Sequence, residues 1–200
     1  ADQTVCVGTI TTATFTGTVS GTVYNWTNTN TNIGLGASGT GNISFTSTNA
    51  TAVPITGTIT VTPAYTNGGT TCTGTPVSFT ITVNPTPTVN AQPNQTVCVG
   101  TLTTATFTGS VSGTVYNWTN TNTNIGLGAS GTGDISFTST TATLVPITGT
   151  ITVTPAYTNG GTTCTGTPVS FTITVNPTPT VNAVPNQSIC PGALTAPVTF

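Results

Sequence analysis

The chain has 200 residues without a single lysine, arginine or histidine, and its only charged side chains are Asp2 and Asp134. That composition excludes nucleic-acid binding, which depends on Lys and Arg releasing phosphate counterions, and excludes attraction to anionic membrane surfaces on the same ground. It also predicts no catalysis: Ser and Thr hydroxyls need a partner base, and Asp134 falls where the matching position of the first half holds Asn42.

Taken in chain order, "TVCVG" (4–8), "ATFTGTV" (13–19), "TVYNWTN" (22–28) and "NISFTST" (42–48) read as short strands separated by Gly, Asn and Ser clusters. In the third, Tyr24 and Trp26 point to one face, because side chains two apart share a face of a strand. Trp26 is expected in a core, with "TNTNTN" and "GLGASGTG" following as a polar edge and a flexible connection. "VPITGTITVTPAYT" (53–66) places Val53, Ile55, Ile59, Val61 and Tyr65 inward and threonines outward, and "VSFTITV" (77–83) does the same with Val77, Phe79, Ile81 and Val83. "NGGTTCTGTP" turns between them as a hairpin. Threonine replaces the usual Lys and Glu of a wet sheet face, so Pro54, Pro63, Pro76 and Pro85 are the expected guards of unprotected edges.

"NPTPTVNAQPN" (84–94) then reads as a stiff proline-rich linker, and the pattern starts again. Gln3 to Asn94 aligns without a gap on Gln95 to Asn186, a period of 92, differing only at Ile10/Leu102, Thr18/Ser110, Asn42/Asp134, Asn49/Thr141, Ala52/Leu144 and Gln92/Val184. A period that long predicts complete domains strung like beads, not solenoid turns. The expectation is an all-β chain of tandem immunoglobulin-like β-sandwiches, about seven strands each, arranged as a rod. The units would span 1–86 and 87–178, with 179–200 opening a third copy that stops after its first strand or two. The chain thus reads as a window onto a longer array, with any signal peptide outside it. No apolar run is long enough for a membrane span.

The cysteines follow the repeat. Cys6, Cys98 and Cys190 share one position, and Cys72 and Cys164 share another. Two connectivities respect the period: Cys6 with Cys72 inside a unit, or Cys72 with Cys98 across the linker. The first is expected, giving Cys6–Cys72 and Cys98–Cys164 with the partner of Cys190 beyond the window. The first strand runs parallel beside the last, and both cysteines of a unit would sit at one end. Crossing to Cys98 would traverse a strand of about 23 Å and double back. Such a bridge would close a loop of about 67 residues, worth roughly 4 kcal/mol in the chain-entropy picture, and implies an oxidising compartment. On this reading each unit is stapled by itself, and a bridge between neighbouring units would overturn it. Zinc has neither histidine nor a C-x-x-C pair to bind, and calcium has no carboxylates at the unit junctions, so no metal or other cofactor is expected.

Two weaker signals complete the reading. The Tyr24/Trp26 and Tyr116/Trp118 pairs could stack on a sugar ring if exposed, against the simpler expectation that all four are core aromatics. Alternating threonines also occur on flat ice-binding faces, but a seven-strand sandwich twists. The six N-x-S/T sequons, at Asn25, Asn42, Asn49, Asn94, Asn117 and Asn186, are what an Asn- and Thr-rich chain produces by chance.

"VNPTPTVNAQPNQTVCVGT", "YNWTN", "IGLGASGTG" and "CTGTPVSFTITVNPTPTV" together resemble the PKD-like, immunoglobulin-type repeats of very large surface proteins of Bacteroidota, flavobacteria especially. The resemblance extends over both copies and the fragment. It implies export by type IX secretion, a bacterial cell-surface location and a place in the shaft of an adhesin or filament, gliding-motility adhesins being one such kind. It departs from better-known PKD domains where their W-D-F-G-D-G stretch appears here as "WTNTNTNIG", without the acids. The expected partners are neighbouring repeats of the same chain, self-association through uncharged edges, and an external surface or polysaccharide met by other regions. A carbohydrate-binding module, or a spacer in a multidomain secreted enzyme, is the alternative reading.

Overall fold

A computed structural model describes residues 1–199. The first unit runs β1 (Gln3–Cys6), β2 (Ile10–Ala13), β3 (Val23–Asn28), β4 (Ser38–Thr40), β5 (Ile43–Thr46), β6 (Ile55–Asn67), β7 (Thr70–Thr73) and β8 (Val77–Asn84). The second repeats it as β9 (Gln95–Cys98), β10 (Leu102–Ala105), β11 (Val115–Asn120), β12 (Ser130–Thr132), β13 (Ile135–Thr138), β14 (Ile147–Asn159), β15 (Thr162–Thr165) and β16 (Val169–Asn176).

In each unit a six-stranded sheet faces a two-stranded one. The larger has the order β1-β8-β6-β3-β4 with β7 also on β6, and the smaller pairs β2 with β5. All pairings are antiparallel except β1 with β8, which run parallel from Gln3↔Ile81 to Cys6↔Asn84. These are tandem immunoglobulin-like sandwiches. Each closes its own core: Trp26, Ile33, Leu35, Ile43, Ile59 and Ile81 among others in the first, and Trp118, Ile125, Ile135, Ile151 and Ile173 in the second. Period-2 alternation produces this layout directly, since Ile59 and Val61 point in while Thr58 and Thr60 lie on the other face. On that outer face the hydroxyls pair across strands, Thr56 with Thr82 at 2.8 Å and Thr60 with Ser78 at 2.8 Å. Cross-strand hydroxyl pairs do here what charge pairs do on ordinary sheets.

Several expectations are corrected. The strand expected over 13–19 lies earlier, at Ile10–Ala13, and Thr14–Val19 has no ladder of its own. Val53 stands exposed ahead of β6, and Val77 is exposed at the start of β8. The hairpin segment contributes a strand, β7, joined to β6 through Gly68 and Gly69, both at positive φ as a two-residue type I′ loop requires. Pro63 guards no edge. It sits inside β6, in the gap where the partner changes from β8 (last pair Val61↔Val77) to β7 (first pair Ala64↔Thr73). Its carbonyl still accepts from Gly74 N at 2.8 Å.

The stretch expected to be a flexible connection is tightly packed. Thr31–Ile33 forms a 3-10 turn capped by the Asn30 side chain, with Ile33 fully buried and Leu35 nearly so. Buried Asn28 holds the turn: its Nδ2 donates to the carbonyls of Asn30 and Leu35, both at 2.9 Å, and its Oδ1 accepts from Asn30 N at 3.0 Å. Asn120 repeats the arrangement in the second unit. Ser38–Thr40 then pairs with β3 as β4.

Among the described residues of the third copy, no strand forms. β1 and β9 are each held by the last strand of their own unit, and residues 187–190 have no such partner in this chain. The local turn is nevertheless the same. Gln187 Nε2 donates to Ala196 O at 3.0 Å as Gln3 does to Thr12 O and Gln95 to Thr104 O.

Candidate functional site

The parallel register of β1 on β8 sets the position of Cys6. It lies beside Asn84, at the end of β8, whereas Cys72 precedes the start of β8 at Val77. About 23 Å of strand separates the two, seven residues at roughly 3.3 Å. The expected Cys6–Cys72 bridge is therefore impossible in this fold, and the equivalent Cys98–Cys164 bridge fails for the same reason. The bridge joins Cys6 of the first unit to Cys164 of the second, with Cα atoms 5.5 Å apart and 158 residues between them in sequence. Cys72, Cys98 and Cys190 are free and exposed. Placing both cysteines of a unit at one end was the mistake: Cys6 sits at the close of its strand, where the parallel partner is also finishing. The units have separate cores but are not separately stapled.

Around that bridge the units grip each other through neutral polar groups. Asn84, fully buried, donates from Nδ2 to Asn159 O at 3.0 Å and to Thr162 O at 3.3 Å, and its Oδ1 accepts from Asn159 Nδ2 at 2.9 Å. Thr162 Oγ1 donates to Thr4 O at 3.0 Å. Gly160, at the hairpin tip, has φ +57° and backs onto Thr4, where an added Cβ would come within 2.7 Å of the Thr4 hydroxyl. The β14–β15 hairpin of one unit thus sits on the β1/β8 end of the other. A buried amide with three satisfied hydrogen bonds holds a fixed register with no charge at all.

The linker completes the junction. Instead of spanning open solvent, it lies along Thr106–Val111 of the second unit. Asn90 N donates to Thr108 O at 2.8 Å, Ser110 N to Thr88 Oγ1 at 3.0 Å, and Gln92 Nε2 to Thr106 O at 3.1 Å. Val89 enters the second core beside Phe107, and Pro85 and Pro87 are buried. The close approach explains two glycines, since a Cβ on Gly109 would lie 1.9 Å from Thr88 O and one on Gly166 1.8 Å from Pro87 O.

The aromatic pairs do not form a stacking platform. Trp26 and Trp118 are buried, each lying flat over a glycine of the neighbouring strand, Gly39 and Gly131, where a Cβ would stand 2.3 Å from the indole. Tyr24 and Tyr116 pack on their cores, with Phe15 and Phe107 at ring-centroid distances of 5.9 Å in both units. Burial, reinforced by the Asp134 carboxylate, raises the pKa of Tyr116 above its ordinary value.

The two acids act as hydrogen-bond acceptors. Asp134 Oδ1 accepts from Phe107 N at 2.8 Å where Asn42 Oδ1 accepts from Phe15 N at 2.9 Å. Asp2 accepts from Thr80 N at 2.8 Å where Asn94 accepts from Thr172 N at 2.9 Å. In both places an amide oxygen does the same work. Among the described residues no three metal-ligating side chains come together, and no helix is long and apolar enough to cross a membrane.

No protein-family model and no curated protein matches the chain. Among solved structures it is similar to a crystal structure of mouse cadherin-23 EC22-24, at 17% identity and a TM-score of 0.34, over 76% of this chain and 53% of that one. It thus spans about half the length of that cadherin fragment. It is also similar to the tandem Ig repeats of Dlar, at 14% identity and a TM-score of 0.28, over 88% of this chain and 94% of that one.

Proposed function

We propose that this chain is a length of shaft in a large secreted surface protein, an adhesin or filament that extends from a bacterial cell. The observation that carries this reading is the junction, where a disulfide, a buried Asn84–Asn159 pair and a docked proline linker join consecutive near-identical units. Such a junction transmits tension from one unit to the next and resists bending, which a shaft needs and an isolated recognition module does not. The bridge fits an oxidising, extracytoplasmic setting. The uncharged, hydroxyl-rich surface presents no focus for a charged partner. The finer assignment, a gliding-type adhesin of Bacteroidota exported by type IX secretion, rests on the sequence resemblance. The expected partners are further copies of the repeat, and contact with a surface or polysaccharide falls to other parts of the protein.

Antibodies against the folded chain, applied to intact source cells, test the location: surface labelling that external protease removes is the expected result, and labelling only after lysis would overturn it. Single-molecule stretching tests the mechanical role. Oxidised chains should extend by less than reduced ones before either core unfolds, because the bridge shunts the linker.

A further inference from the structure

Every residue of the junction occurs twice in the chain, yet each half of the junction is used once. The socket of Thr4, Cys6 and Asn84 has the twins Thr96, Cys98 and Asn176, and the hairpin of Asn159, Gly160, Thr162 and Cys164 has the twins Asn67, Gly68, Thr70 and Cys72. The unused hairpin lies open on the first unit and the unused socket, with Cys98 exposed, on the second. The linker groove behaves likewise. Val111, covered by the linker, is 4% exposed, while its twin Val19 is 52% exposed. Phe107, Phe171 and Ala105 are buried where Phe15, Phe79 and Ala13 are only half-buried. Two clefts of about 600 and 410 Å³ open on the first unit, along Thr14–Val19 and out to Cys72–Gly74, where the second unit carries its linker. The segment that matches that groove is also in the chain: Pro177–Ala183 repeats Pro85–Ala91 letter for letter, and its Val181 is 71% exposed.

We propose that copies of this chain join head to tail. Pro177–Ala183 of one copy docks into the open groove of the next copy's first unit, Val181 fills the place that Val89 takes internally, Asn176 meets Asn67, and Cys98 bridges to Cys72. Two different surfaces meet, so the contact is heterologous and repeats without closing. Its geometry is the one already present between the two units. Asp2 holds Thr80 as Asn94 holds Thr172, so the docked segment leaves the groove before that point and clears the second copy's own β1. Closing the bridge removes two protons and two electrons from the thiols of Cys98 and Cys72, and a disulfide oxidant such as oxidised glutathione accepts them as two reduced glutathiones. The inference stands on the junction geometry and not on the cell-surface reading.

The test uses the full chain with Cys190→Ser, to remove the third free thiol, in a glutathione redox buffer. Multimers should form a ladder on a non-reducing gel, with chymotryptic peptides joining Cys72 to Cys98 as the dominant new cross-link. Trypsin is of no use on a chain without Lys or Arg. Val181→Asp, which leaves both folded cores untouched, should slow the ladder by roughly tenfold or more, because a carboxylate cannot enter an apolar groove without losing its hydration. A chain that stays monomeric, cross-links of Cys72 and Cys98 in random combination, or a Val181→Asp chain that multimerises at the unsubstituted rate would each overturn the proposal. None of these outcomes bears on where the protein resides.

Discussion

Cys72 and Cys164 occupy the same position in two repeats that differ at only six of 92 residues, yet Cys72 is an exposed thiol and Cys164 is 3% exposed and bridged to Cys6. Nothing local distinguishes them: both sit in identical strands opposite a tyrosine, Tyr65 and Tyr157. What differs is whether the β1/β8 end of another unit lies against the hairpin.

This predicts what the bridge does. A loop of this length would be worth about 5 kcal/mol in the chain-entropy picture, but that picture assumes the loop is otherwise unfolded, and here it contains two complete cores. Replacing Cys6 and Cys164 together by Ser should therefore cost less than about 2 kcal/mol in denaturant unfolding, where the chain-entropy picture alone would give about 5. The change should appear at the junction, as faster amide hydrogen exchange at Val7, whose N–H donates to Asn84 O, than at Ile59 in the core.

Asn84 and Asn176 offer an internal control. Asn84→Ala deletes the amide that satisfies the carbonyls of Asn159 and Thr162 in a buried setting and should cost about 1–3 kcal/mol. Asn176→Ala removes the same side chain from a socket with nothing in it, and should stay within about 0.5 kcal/mol. Equal effects in urea unfolding would contradict the clamp.

The tryptophans report on their own packing. Gly39→Ala would push a methyl into the Trp26 indole and should destabilise the first unit by about 1–3 kcal/mol, with Gly131→Ala doing the same to the second. In the unsubstituted chain both indoles should emit at short wavelength, resist aqueous quenchers and ignore added glycans. Each Nε1 lacks a hydrogen-bond partner, in keeping with that dry setting.

Between mild acid and mild alkali the chain should show almost no pH dependence of stability, having no histidine and two acids. The exception lies lower. The Thr80 N–H holds the Asp2 carboxyl below its ordinary pKa, so the folded state gains from ionised Asp2 above the unfolded value and loses that gain as pH falls through the depressed native one. The Thr80 amide resonance should shift with that titration, and Asp2→Asn, which copies Asn94, should remove the pH dependence while keeping the hydrogen bond.

The sequence by itself determined the units, their boundaries in outline, their sandwich class and their outer face, because each follows from short-range order. Alternating Thr with Val or Ile sets which way side chains point, the Gly pair of 68 and 69 sets the hairpin, and the exact period sets the copy number. Even the packed Thr31–Leu35 turn left a trace, in Ile33 and Leu35 standing apolar within a polar run. Only the tertiary structure decided the partners of the cysteines and the fate of the linker. Identical residues such as Val19 and Val111 part company according to what a segment from another unit covers. The physical reason is that a parallel pairing of first and last strands carries Cys6 to the end of the sandwich where the next unit begins, and no pattern within one repeat records which neighbour waits there.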